Sequence, residues 1–185
     1  MVKNVLKTPL LLSLLLLFFL SCSIPSTHSR ANIEEAIKTI CKDELAIDVV
    51  TALVGETVWI YAPFKKLITE DGQWNQGYLE DRRKIFFALG RVFLSMDKAP
   101  KFYCLLVSDI SGVGIDAYTI GYVSDLIKFQ QGFISSKDYG ERIAFKSFPN
   151  PEALGDTQGK HMQAYDIQPA EFADYLADWQ VKNKK

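Results

Sequence analysis

Between residues 33 and 122 the hydrophobic pattern alternates between two periods, and that order limits the folds open to the chain. "NIEEAIKTICKDEL" places Ile33, Ile37, Ile40 and Cys41 at helical spacing, with Asn32 as a cap and Glu34 and Glu35 in the first turn. "AIDVVTALV" and "TVWIYAP" follow, β-branched and alternating, separated by Gly55-Glu56. Two such runs around a glycine and one further residue read as a hairpin. "YLEDRRKIFFALGRVFLSMD" is the strongest helix. Leu79, Ile85, Phe86, Leu89, Phe93 and Met96 keep one face, and Glu80, Asp81, Arg83 and Lys84 take the other. "KFYCLLVSD" and "IDAYTIGYV" then read as strands around the turn "ISGVG". The order is helix, strand, strand, twice over. It predicts an α+β fold: an antiparallel sheet of about four strands with helices packed on one face.

The remainder adds helices. "SDLIKFQQGF" continues helical, and "ISSKDYGERIAF" opens with a capping box, Ser135 as cap and Asp138 three residues on, with Ile134 and Tyr139 as a hydrophobic staple. Residues 146–168 break the pattern. A loop of that length inside a compact domain is functional, mobile, or hides a short strand, for which "HMQAYDI" is the candidate. "PAEFADYLADWQ" closes the chain as a helix, with Pro169 at its start and Phe172, Tyr175, Leu176 and Trp179 on one face.

The N-terminus does not belong to this fold. Lys3 and Lys7 precede an apolar run from Leu10 to Leu20 that only Ser13 interrupts. A bilayer span needs roughly 20 apolar residues, so the run is short for one. A basic start, a short apolar run and small residues afterwards form the pattern of a secretory signal peptide. Its end, "FFLSC", resembles the lipobox of bacterial lipoproteins. Ser21 is the small residue before Cys22, with Leu20 and Phe19 ahead of it. Phe19 and Leu20 depart from the commonest form of that motif. The resemblance covers residues 1–22 only. It implies cleavage before Cys22, diacylglycerol on its sulfur and an acylated new N-terminus. It also implies an exported, membrane-anchored protein, at the outer membrane or periplasmic face in a Gram-negative envelope. Competing expectations are cleavage after Ser23, with a freely secreted product, and an uncleaved span. On the leading reading residues 1–21 leave, 22–31 form a Ser-rich tether containing Pro25 and His28, and 32–185 make one domain.

Composition restricts partners. Loss of Lys3 and Lys7 leaves 19 of the 21 basic residues against 22 acidic ones, a formal charge of −3. No basic stripe appears, which argues against nucleic acid and leaves the lipid, and an envelope protein, as the expected partners. Cys41 and Cys104 read first as two buried thiols, with a Cys41–Cys104 disulfide, which export permits, as the alternative.

Signals for chemistry are sparse. "SDISGVGIDAY" gathers Asp109, Gly112, Gly114 and Asp116. Its Gly-x-Gly-x-Asp echoes one turn of a calcium-binding repeat, but a single copy reads as a strand–strand turn. No metal or cofactor is expected. His161 is the only histidine after the tether, and no G-x-S-x-G elbow accompanies it. Adjacent carboxylates, Glu34-Glu35, Asp43-Glu44 and Glu80-Asp81, face different ways on a helix. Aromatic residues give the other clue. Trp59 and Tyr61 share one strand face, as do Tyr118 and Tyr122. Left open, such a face would mark a binding surface; the C-terminal helix and the long loop could equally cover it. Three functions follow in order: a non-enzymatic binding domain for a protein or envelope component; a small-ligand or lipid module with a pocket between the sheet and the 147–168 loop; and a hydrolase around His161.

Overall fold

The structure, a computed structural model, describes residues 28–160. Cys22, His161, the candidate strand at 161–167 and the C-terminal helical pattern lie outside the described residues. The class is α+β. In chain order the described elements are α1 (Ile33–Thr39), β1 (Val50–Val54), β2 (Thr57–Phe64), α2 (Gln76–Leu94), β3 (Phe102–Asp109), β4 (Ile115–Tyr122), α3 (Val123–Gln130), α4 (Ser136–Arg142) and β5 (Ala144–Pro149).

The sheet has five strands in the order β1-β2-β3-β4-β5. This corrects the expectation of about four antiparallel strands in two respects. First, β5 straddles the end of the segment that reads as helical and the start of the stretch that reads as loop; Ala144 and Phe148 lie on one face of the sheet and Phe145 on the other, and the strand ends on Pro149. Proline cannot continue a ladder, which suits the edge position. Second, β2 and β3 are parallel, with Thr57 opposite Phe102 and Phe64 opposite Asp109. The physical reason is α2. A parallel pair needs a long crossover, and the 19 residues of α2, about 28 Å of helix, carry the chain back to the starting end of the sheet. The doubled helix-strand-strand order is present, but periodicity carries no information on strand direction.

Local chemistry explains the element ends. Asn75 caps α2, its side-chain oxygen accepting from Gly77 N at 2.9 Å and Tyr78 N at 3.4 Å. The capping box at Ser135 and Asp138 is formed as the sequence predicts. Asn32 does not cap α1; a short 3-10 turn over Arg30–Asn32 leads into it instead. The β1–β2 turn uses Gly55 at φ 58°. That turn is clamped by Arg30, which donates to Gly55 O at 2.6 Å and to Glu56 at 2.8 and 3.1 Å. His28 pairs with Met96 as an isolated bridge. His28, in the stretch expected as tether, is thus in contact with the end of α2.

The helices pack on one face of the sheet. Val58, Ile60, Ala62, Leu105 and Val107 meet Ile33, Ile37, Ile85, Leu89 and Phe93 in the larger core. Each of these large side chains contributes roughly 1.5–3 kcal/mol by leaving water. Tyr103 lies in the same layer because its strand partner is Gly121; a Cβ there would sit 2.5 Å from the Tyr103 hydroxyl. The second face carries a smaller cluster around Cys104, Leu106 and Ile120.

Candidate functional site

The four aromatic side chains expected to form a surface are brought onto one face. Register places Tyr61 opposite Leu106, and Leu106 opposite Tyr118, while Trp59 and Tyr122 flank them on the same side. That face is not an open patch. Tyr61 is fully buried and Tyr118 nearly so, and Trp59 and Tyr122 are half-buried. The Tyr61 hydroxyl donates to the carbonyl of Asp156 at 2.5 Å, so the loop after β5 reaches over it. Burial pushes the Tyr61 hydroxyl up to about 12.

Cys41 and Cys104 are both free, buried thiols, as the first of the two expectations has it, and the alternative disulfide between them is not formed. Cys41 belongs to the helix-side core and Cys104 to the cluster on the opposite face, so the sheet stands between them. Alternation decides this: Cys104 sits between Tyr103 and Leu105, both of which point toward the helices. Burial pushes the Cys41 thiol up to about 11 and the Cys104 thiol further.

The stretch "SDISGVGIDAY" is structural. Asp109 is buried at the end of β3, where its carboxylate accepts from Leu67 N at 3.1 Å, Ser111 N at 3.3 Å and Gly112 N at 2.5 Å. Asp116 is also buried, accepting from Ser108 Oγ at 2.5 Å and Asn150 Nδ2 at 2.7 Å. Gly114 has φ 65°, and its carbonyl accepts from Asn150 N at 2.6 Å. These carboxylates tie loops to strand ends. Among the described residues no group of three or more histidine, cysteine or acidic side chains converges as a metal site.

Among the described residues two concavities lie against the strands and helices, beside a smaller one on the loop of residues 152–160. The larger, about 660 Å³, lies at the ends of β1 and β2, with Thr157 and Gln158 of the long loop in its wall. Asp48, Lys65 and Asp81 line it together, so it presents both signs of charge. The second, about 460 Å³, is a groove between α2, α3 and α4. Its walls are Phe86, Phe87 and Phe129, and Tyr139 stacks on Phe129 with centroids 4.6 Å apart and planes at 5°. The Tyr139 hydroxyl meets that of Tyr103 at 2.5 Å, and burial pushes both phenols upward, so both stay neutral.

Arg82 lines this groove. Its guanidinium donates to Thr119 Oγ1 at 2.9 Å and lies over two rings, 5.2 Å from the centroid of Phe86 and 5.5 Å from that of Phe145. Arg83 lines the groove beside it, and no acidic residue does. This groove is not among the sites expected from the sequence. The signal was present in "RRKIFF": Phe86 and Phe87 are adjacent on a helix and cannot both face the core. Phe87 is accordingly 55% exposed.

No family model, no curated protein and no solved structure matches this chain. Among the described residues no helix is long and apolar enough to cross a membrane.

Proposed function

We propose that this chain is an exported, lipid-anchored domain with a non-enzymatic binding role in the cell envelope, and that its ligand is a small, largely apolar molecule held in the α2–α3–α4 groove. The observation that carries this reading is the contrast between the groove and the tempting loop. Asp109 and Asp116 are buried and committed to holding the chain together, whereas the groove is a concavity of about 460 Å³ with three phenylalanines in its wall. Small-molecule sites are commonly apolar clefts of roughly 300–1,000 Å³ with a few placed polar groups. A protein partner would draw on an aromatic sheet face left open, and the burial of Tyr61 and Tyr118 removes that support. His161 lies outside the described residues, and no observation adds to a hydrolase.

The anchor rests on "FFLSC" and its resemblance to a lipobox. Two or three acyl chains on Cys22 would hold the domain at a membrane durably, since each buried methylene contributes about 0.8 kcal/mol. The test is the intact mass of protein purified from a bacterial host, beside Cys22→Ala. The expected mass is that of residues 22–185 plus lipid, lost in the variant. A lipid-free chain starting at Ile24 overturns the anchor.

A further inference from the structure

The groove also carries a signature of ligand charge. We propose that it binds a single-chain amphiphilic carboxylate, with the apolar body against Phe86, Phe87 and Phe129 and the carboxylate on the guanidinium of Arg82. This rests on the ligand-binding reading above.

The argument begins from the arginines. The chain has five. Arg30 pairs with Glu56, Arg91 with Glu44 and Arg142 with Asp125. Among the described residues Arg82 and Arg83 have no carboxylate partner, and both line the same groove. An unpaired surface arginine is unremarkable, but Arg82 is half-buried, and taking a cation out of water without a counter-charge costs free energy.

The position of Arg82 is fixed rather than adaptable. Thr119, itself buried, accepts one of its N–H groups, and the rings of Phe86 and Phe145 hold the guanidinium in place. The fork keeps four further N–H donors, enough for two parallel bonds to a carboxylate. Tyr103 and Tyr139 are neutral and paired with each other, so they add no negative charge. The walls favour a monoanion with an apolar tail over a dianion, whose desolvation against three phenylalanines would cost more. In a domain with more acidic than basic residues, two unpaired cations and no acid around one apolar groove select for negative charge.

The test is calorimetric titration of the full-length protein, in detergent-free buffer as Cys22→Ala, with dodecanoate, dodecanol and dodecyltrimethylammonium below their aggregation limits. Dodecanoate is expected to bind one per chain and roughly tenfold or more tighter than the alcohol, as a charge-assisted hydrogen bond implies. The cation is expected to bind weakest. Arg82→Gln should remove the preference for dodecanoate while leaving the alcohol unchanged. Should Arg82→Gln unfold, Arg83→Glu at the exposed neighbouring position should weaken dodecanoate alone. Equal binding of acid and alcohol, unaltered by either variant, overturns the carboxylate assignment but keeps the groove as an apolar site. No binding of any of the three overturns both the assignment and the ligand-binding reading.

Discussion

Thr57 shows at a single residue how burial and hydrogen bonding can conflict. It opens β2 and is fully buried, and its hydroxyl has no hydrogen-bond partner. A buried polar group without a partner costs roughly 1–3 kcal/mol, whereas an apolar group of the same shape costs nothing comparable. Thr57→Val keeps the branched shape and the strand preference. It is expected to stabilise the domain by about 1 kcal/mol, read as a higher urea midpoint with an unchanged slope. A lower midpoint would mean that the hydroxyl is hydrogen-bonded in solution. Arg82 is the opposite case, a polar residue whose side chain is partly satisfied and partly left for a ligand.

Elements are joined at the strand ends by carboxylates. Asp109 holds the start of the β2–α2 connection through Leu67 N and its own turn through Ser111 N and Gly112 N. Asp109→Ala removes both acceptor oxygens of these three bonds and leaves the buried Leu67 N–H unpaired, at roughly 1–3 kcal/mol. Asp109→Asn keeps one oxygen and should fall between wild type and alanine. Urea unfolding of the three proteins checks the order; alanine and wild type unfolding alike would mean that the turn is held by other contacts. The edges are managed by the same kind of chemistry. On β1 the Leu53 N–H is covered by the Glu34 carboxylate at 2.8 Å, and β5 carries Lys146 and Pro149.

Across the whole molecule the buried acids with raised pKa values set the alkaline limit of stability. Cys41 lies at about 11 against an ordinary 9.0, and Tyr61 at about 12 against 10.0. For these groups the fold favours the neutral form. Between the unfolded and folded values the native state binds more protons, so stability falls as pH rises. The contribution is complete below about pH 9 and is lost from there to about pH 12. Melting temperatures should stay level from neutrality to that point and then drop, and a flat profile to pH 11 would contradict the burial. The same burial makes a thiol prediction. Cys41 and Cys104 should resist alkylation in the native state and both react in denaturant without reductant. A need for reductant would mean that they are bonded.

By itself the sequence determined the class, the doubled helix-strand-strand order and the capping box at Ser135. All of these are local properties, written in hydrophobic period and in residue types a few positions apart. Only the tertiary structure decided four other things: that β2 and β3 run parallel, that Cys41 and Cys104 lie on opposite faces, that Tyr61 and Tyr118 of the aromatic face are buried, and that Arg82 is held between Phe86 and Phe145 while Arg30, Arg91 and Arg142 find carboxylates. The reason is the same for each. Phe145 lies 63 positions from Arg82 in the chain, and Cys104 lies as far from Cys41. Which distant residues meet depends on strand order and register, fixed by collective packing rather than by any short stretch of sequence.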